Sequence, residues 1–537
     1  MDRILFAEGA PSVELIERSY PDPAAGWVEG SYRPRAEVRV SSELSCGGGR
    51  DVTMHGMRLA EESEALDGDA NTIARYVYHV GSLVRMAGVA SRGYRVELVV
   101  TSREQEARSW VAVVNDAPAA RFEVPSGKRV RVRFEVQLTC RGFELALEPE
   151  GDFDDGCAPD AAIELDELVL EVIERAGRRK APTIWIAADS TVQTYFDEER
   201  PQAGWGEWLY WYLYRDHRAQ VRHDEGSATV QARRFDGCGP TIRNRALGAR
   251  SARSYIAEGR LAALLAQVRP GDILLIQFGL NDASATRPMR YIAPEQFRCW
   301  LARFVESARD RGVRPVLITP PPQYRAPGAD APASPFDTYA AIARAYAAEA
   351  DVPLIDLRAL ATAYLEGLPP ENRAAFFLRA PVRQWASHPD GIKDNVHLSV
   401  FGAFTCAGII ARELVRLVDG LELVGDERTG APAAPCDVRA CAQRGIVGLE
   451  AEVRWRDAND ADYWTVEKRS AETGRLYERF VVLQPRLHDL PLPGQSRHVR
   501  YEVRAWRGAE SSAPVEVALT LAASDDACPR VEAELLD

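Results

Sequence analysis

The sequence predicts an α/β domain set between two β-sandwiches, and three observations carry that prediction. Between residues 181 and 420, apolar runs of strand length alternate with stretches of helical apolar spacing, the pattern of a parallel sheet covered on both faces. Residues 1–180 instead alternate with a period of two, as in Arg129-Val-Arg-Val-Arg-Phe-Glu-Val136, between turns rich in Gly, Pro and Asp. A linker at 421–435, ending Thr429-Gly-Ala-Pro-Ala-Ala-Pro435, marks a second boundary, after which strand-like alternation resumes over 436–537.

In the N-terminal part, Tyr94-Arg-Val-Glu-Leu-Val-Val100 and Glu167-Leu-Val-Leu-Glu-Val172 read as further strands. The acidic run Glu148–Asp155 fits no calcium-loop spacing and reads as a solvated turn. In the middle part, strands are predicted at 183–188, 241–246, 273–279, 315–319 and 353–357. Helices are predicted at Glu295–Arg311, Phe336–Ala350 and Phe401–Val418. The segment Pro320–Pro335 follows the fourth of these strands as a Pro-rich loop at the same edge of the sheet.

Four segments carry chemistry: Asp189-Ser190-Thr191, Asn244 through Ser251, Gly279-Leu280-Asn281-Asp282 and Asp394-Asn395-Val396-His397. The buried-type run Ile184-Trp-Ile-Ala-Ala188 ends at Asp189-Ser190, which puts a hydroxyl at the C-terminal edge of a strand, where open α/β sheets bind ligands. A helix starting after it would aim backbone N–H groups at an anion formed there. A serine needs a base and an orienter to act as a nucleophile. Asp394 and His397 suit those roles, because a spacing of three on a turn or first helical turn puts both side chains on one face. Asn281 follows the strand-like run Ile273–Phe278, so its amide lies at the same edge as a donor for developing negative charge. Each residue alone has a plainer reading, as a helix cap, a turn or a surface pair; their ordered co-occurrence is what favours a site.

Six blocks in this order resemble the SGNH or GDSL-type hydrolases, and within them the rhamnogalacturonan acetylesterase branch of carbohydrate esterases. They are Asp189-Ser-Thr-Val-Gln-Thr-Tyr195, Gln202-Ala-Gly-Trp-Gly-Glu207, Gly248-Ala-Arg-Ser-Ala-Arg-Ser254, Glu258-Gly-Arg260, Ile276-Gln-Phe-Gly-Leu-Asn-Asp282 and Asp394-x-x-His397. The resemblance implies a flavodoxin-like three-layer α/β/α catalytic domain at 181–420. It also implies a Ser190, His397, Asp394 triad that removes O-acetyl groups from pectic oligosaccharides through an acyl-enzyme, without a cofactor. The oxyanion hole it implies comprises the Ser190 N–H, the Asn281 amide and a backbone N–H of the third block. By register that donor is Ala249, by residue type Gly248. The chain carries Ala188 and Ala249 where the family usually has Gly, and a methyl group restricts φ > 0. Asp216–Pro240 is longer than the family's usual link and is expected as a lip beside the site. Esterases of acetylated xylan or of simple acyl esters, and a non-catalytic carbohydrate-binding scaffold, are the alternatives.

Two-domain members of that branch carry a jelly-roll module resembling galactose-binding folds ahead of the Asp-Ser block, as residues 1–180 would be. Residues 436–537 resemble a fibronectin type III domain through Val453-Arg-Trp455, Asp462-Tyr-Trp-Thr-Val-Glu-Lys468, Leu492-Pro-Gly494 and Tyr501-Glu-Val-Arg-Ala505. There Trp455 is the expected core tryptophan and Tyr501 the corner tyrosine whose hydroxyl bonds backward. Trp464 and Trp506 are candidates for a sugar platform, with core packing the commoner use of such residues.

Composition bounds the partners. The 66 Lys and Arg against 79 Asp and Glu leave a net charge of −13, which argues against nucleic acid. No run approaches the ~18 apolar residues of a membrane helix, and the first residues lack a basic-then-apolar signal, so the expectation is a cytoplasmic protein, with secretion as the alternative. The nine cysteines follow no zinc spacing and read as free thiols. The histidines apart from His397 follow no ligand spacing, and His388 is a candidate groove residue. No metal is expected, and the oligomeric state stays open.

Overall fold

The computed structural model describes residues 2–5, 52–55, 83–86, 89–102, 105–115, 117–150, 163–174, 177–326, 334–424, 430–445, 448–457, 461–491 and 494–521. The remainder of the acidic run beyond residue 150, residues 327–333 of the Pro-rich segment, Leu492 and Cys46, Cys157 and Cys528 lie outside these. The chain forms two compact units, one of residues 1–183, 251–274 and 284–315, the other of 184–250, 275–283 and 316–537.

In the first unit, two antiparallel sheets enclose one core. The first orders Asp2–Leu5, Ile163–Val172, Gly93–Ser102 and Arg129–Gln137; the second orders Val52–His55, Leu83–Met86, Phe143–Pro149, Arg108–Val114 and Ala117–Val124. Alternate residues such as Val96, Leu98, Trp110, Leu145 and Leu168 fill the space between them, as the two-residue period requires. The same unit holds the helices Ala252–Ala257, Arg260–Leu265 and Pro294–Arg309. Behind the last of these, Arg311 is almost fully buried. Its guanidinium donates to the Ser91 carbonyl and hydroxyl, the Ser307 and Leu138 carbonyls and Gln137 Oε1, joining helix to sandwich.

The second unit contains a seven-stranded sheet ordered Gln220–His223, Arg233–Asp236, Thr241–Asn244, Thr183–Ala188, Ile273–Gln277, Arg314–Ile318 and Leu354–Ile355. Thr183–Ala188, Ile273–Gln277 and Arg314–Ile318 begin one or two residues before the unit does. Every residue of Thr183–Ala188 and of Ile273–Gln277 is buried, which accounts for the apolar runs Ile184–Ala188 and Ile273–Ile276 within them. The helices Pro335–Glu349, Leu357–Gly367 and Val400–Leu417 follow. Among the described residues no helix is long and apolar enough to cross a membrane.

Two expectations change here. Asp216–Pro240, expected as a lip beside the site, supplies two antiparallel strands that extend the sheet beyond Thr241–Asn244. The reason is electrostatic: Asp224, fully buried, pairs with both Arg243 and Arg245, whose guanidiniums lie 4.3 and 5.1 Å from the Trp185 ring. A charge set of that kind has to be enclosed by the segment that supplies the Asp. The second change concerns residues 190–192, which form a single turn after Thr183–Ala188 and not the expected helix.

The chain ends in a second sandwich. One sheet orders Cys436–Gly445, Gly448–Arg456 and Arg486–Asp489; the other is built on Leu476–Val482, Tyr463–Ser470 and His498–Arg507. Trp455 and Trp464 both sit in its core, so Trp464 is unavailable as a sugar platform, while Trp506 stacks on Tyr463 at 6.0 Å. The Tyr501 hydroxyl bonds backward, to the Asp489 carboxylate at 2.6 Å rather than to backbone, and Lys468 pairs with the same buried oxygen. The six described cysteines are free thiols.

Candidate active site

Ser190 opens the turn after Thr183–Ala188, with the N–H groups of Val192 and Gln193 both donating to the Asp189 carbonyl. A buried polar chain fixes this turn from below. Trp205 Nε1 donates to Gln277 Oε1 at 2.8 Å, Gln277 Nε2 to Thr191 Oγ1 at 2.7 Å, and the Thr191 hydroxyl and N–H to Asp189 Oδ1 at 2.8 and 2.9 Å. Asn244 Nδ2 holds the Val192 carbonyl at 2.8 Å, and the Tyr195 hydroxyl donates to the Ser190 carbonyl at 2.8 Å. A Cβ on Gly206 would come within 2.6 Å of the Val192 carbonyl and of Asn244 Nδ2, so only glycine fits against the turn. Apart from Asn244, these supporting residues lie inside the six motif blocks, but their roles depend on contacts that no spacing encodes.

Asp394 and His397 lie in the strand Ile392–Ser399, which pairs antiparallel with Phe377–Ala380. The expectation of a turn or helical first turn therefore fails in its setting, yet the shared face survives. Leu398 pairs with Phe377 and Lys393 with Arg379, so the four residues 394–397 oppose only Leu378 in a wide bulge. Asp394 Oδ1 closes the bulge by accepting from the N–H groups of Val396 and His397 at 2.7 and 3.0 Å. Its other oxygen meets His397 Nδ1 at 2.8 Å, and His397 Nε2 faces Ser190 Oγ at 3.0 Å. Burial pushes the Asp394 carboxyl up, but the imidazole and the two backbone N–H groups outweigh it and hold it at about 2. Asp394 is thus an anion throughout the range in which an imidazole works.

Asn281, buried at the turn Gly279–Asp282, spends one amide hydrogen on the Arg250 carbonyl at 3.1 Å and keeps the other. The turn is set by Asp282, whose carboxylate accepts the Gly279 N–H at 2.9 Å. The two candidate backbone donors separate. The Gly248 N–H is taken by Gln193 Oε1 at 2.6 Å, whereas those of Ala249 and Ser190 meet no protein acceptor among the described residues. Ala249 adopts φ 67°, the left-handed region where glycine is at ease.

Around the site, Arg379 bonds the Asn395 side chain and lies 4.5 Å from the Tyr324 ring, and the Tyr324 N–H bonds the Asn395 carbonyl. The start of the Pro-rich segment thus lies against the Asp394 strand. His388 Nδ1 sits 2.9 Å from the Ser387 hydroxyl, in the turn joining the two hairpin strands.

A hydroxyl, an imidazole and a carboxylate in series, with unspent N–H donors beside the hydroxyl, define the geometry of acyl transfer. Residues 189–403 match the model of the GDSL-like Lipase/Acylhydrolase family. Rhamnogalacturonan acetylesterase RhgT of Bacillus subtilis is 31% identical over 239 residues, 44% of this chain and 92% of that protein. A second Bacillus subtilis protein, named "Probable rhamnogalacturonan acetylesterase YesY", is 31% identical over 235 residues, 44% of this chain and 93% of its own. The crystal structure of the acetylxylan esterase Axe2 from Geobacillus stearothermophilus aligns at 18% identity over 46% of this chain and 98% of that one, with a TM-score of 0.31. The chain belongs to the GDSL-like lipase/acylhydrolase family, and so to the carboxylic ester hydrolases.

Proposed function

We propose that this protein is a carbohydrate O-deacetylase acting on acetylated pectic oligosaccharides of the rhamnogalacturonan type. The observation that carries the reading is the relay from Ser190 Oγ through His397 to Asp394, at 3.0 and 2.8 Å. The two rhamnogalacturonan acetylesterase relatives support the substrate class. In this scheme His397 Nε2 takes the Ser190 proton as Oγ attacks the acetyl carbonyl, and Asp394 orients and stabilises the imidazolium. The oxyanion rests on the N–H groups of Ser190 and Ala249 and on the remaining Asn281 amide hydrogen, a set whose members are each worth roughly 100- to 1000-fold in rate. His397 then protonates the leaving sugar hydroxyl. Water, deprotonated by the same imidazole, releases acetate from the acyl-enzyme.

The flanking sandwiches are assigned as a galactose-binding-like jelly roll and a fibronectin type III-like module, around a three-layer α/β/α catalytic core. The test is acetate release from acetylated rhamnogalacturonan oligosaccharides by the wild type, Ser190→Ala and His397→Ala, with acetylated xylooligosaccharides and p-nitrophenyl acetate in parallel. Release from the pectic substrate by the wild type, falling at least 1000-fold in both variants, is expected. Equal release by His397→Ala would sink the mechanism. Preference for the xylan substrate would sink the substrate assignment alone.

A further inference from the structure

We infer that the C-terminal sandwich is a positioning element for the hairpin that carries Asp394 and His397, an inference that rests on the functional reading above. The hairpin, Phe377–Ala380 and Ile392–Ser399, is held by that sandwich at three places.

Just before the hairpin, the fully buried Asn372 donates to the Tyr463 hydroxyl at 3.0 Å and accepts from Arg479 at 2.8 Å, while Arg479 also pairs with Glu371 at 2.9 Å. The Tyr463 hydroxyl in turn donates to the Gly508 carbonyl at 2.9 Å. At the turn joining the strands, Arg383 pairs with Glu450, and Gln384, 1% exposed, donates to the Arg486 carbonyl at 2.9 Å. Just after the hairpin, the Phe401 ring packs 5.0 Å from Tyr463.

Arg383 adopts φ 58°, a conformation that an L residue holds only when its surroundings impose it. Its N–H is held within the turn by the Pro389 carbonyl at 2.7 Å, while its guanidinium is held by Glu450 of the sandwich, so the turn is fixed both from inside the hairpin and from outside it. The bulge of residues 394–397 is closed by the Asp394 side chain and by Tyr324 and Arg379 on Asn395, and its strand pairs with Gln202–Ala203, so the sandwich anchors act together with these contacts in placing the imidazole. A nucleophile and base displaced by about 1 Å lose on the order of 100-fold in rate. The sandwich therefore acts on turnover without touching substrate.

The test uses the full chain carrying Glu450→Ala together with Tyr463→Phe, which keeps the core ring, and Glu450→Gln as the conservative return. Steady-state kinetics on p-nitrophenyl acetate are read beside amide hydrogen exchange and the pH–rate profile. The double variant should lose ten- to a hundredfold in kcat with KM within about twofold. Exchange should accelerate over residues 381–399 but not in Thr183–Ala188, the kinetic pKa should move, and Glu450→Gln should recover most of kcat. Faster exchange over 381–399 with kcat unchanged would overturn the inference, as would unchanged exchange. A wild type that neither hydrolyses the ester nor takes up a fluorophosphonate at Ser190 would instead overturn the functional reading, and the exchange data alone would then decide whether the sandwich braces the hairpin.

Discussion

Two residues beside Ser190 carry strain that can be measured. Ala249 holds φ 67°, which costs an L residue roughly 1–2 kcal/mol, while glycine there would give back about 0.4–1 kcal/mol through its freer unfolded chain. Ala249→Gly is therefore expected to stabilise the protein by up to about 1 kcal/mol and, since the N–H is kept, to change kcat by less than about threefold. Denaturant unfolding and steady-state kinetics check both, and a tenfold loss of kcat would contradict the placement of this donor. Asp189 is fully buried with Oδ2 unpaired, and burial, only partly offset by the two Thr191 bonds, raises its carboxyl to about 6. Its folded pKa lies above the unfolded value, so the folded state holds the proton more tightly and loses stability as pH rises from about 4 through 6. At pH 8 the loss is on the order of 2–3 kcal/mol. Asp189→Asn should raise the melting temperature at pH 8 and not at pH 4; an equal shift at both would show that ionisation plays no part. Both residues were visible as motif members, but the positive φ of Ala249 and the burial of Asp189 Oδ2 without a partner among the described residues arise only on folding.

At the scale of elements, the buried strands and the long helices were legible because their signals are local. Ile184–Ala188 and Ile273–Ile276 are unbroken apolar runs, and Pro294–Arg309, Pro335–Glu349 and Val400–Leu417 lie within two residues of their predicted bounds. The elements that were missed owe their shape to partners elsewhere. Gln220–His223 is exposed along its whole length and shows no apolar period; pairing with Arg233–Asp236 and the burial of Asp224 make that region a sheet extension. The Asp394 strand carries a four-residue bulge that breaks the two-residue alternation, so its sequence does not read as a strand. The spacing of three was informative for the chemistry while its structural setting was not, because a bulge closed by an Asp side chain can place two side chains together as a helical turn does.

For the whole molecule, buried polar groups at the junctions between elements set how the parts are held. In the first unit, Arg311 satisfies acceptors on Ser91, Gln137, Leu138 and Ser307 at once. Arg311→Met keeps the bulk and strands several buried acceptors, each costing about 1–3 kcal/mol. At 2–4 °C per kcal/mol for a unit of this size, a fall of roughly 5–15 °C in the first thermal transition is expected. Calorimetry of the full chain would show it, and a shift below 2 °C would mean that the junction is held by apolar packing instead.

What the sequence determined by itself is the chemistry: which residue types are present, in what order, and at which strand ends, because catalytic side chains and buried runs are local features of the chain. What the tertiary structure decided is geometry across long separations. Gln193, fifty-five residues before Gly248, takes that residue's N–H and leaves Ala249 as the donor. The C-terminal sandwich grips the Asp394 hairpin through Tyr463, Glu450 and Arg486. Contacts of that kind follow from which surfaces meet after the chain has folded, and no periodicity or spacing along the sequence records them.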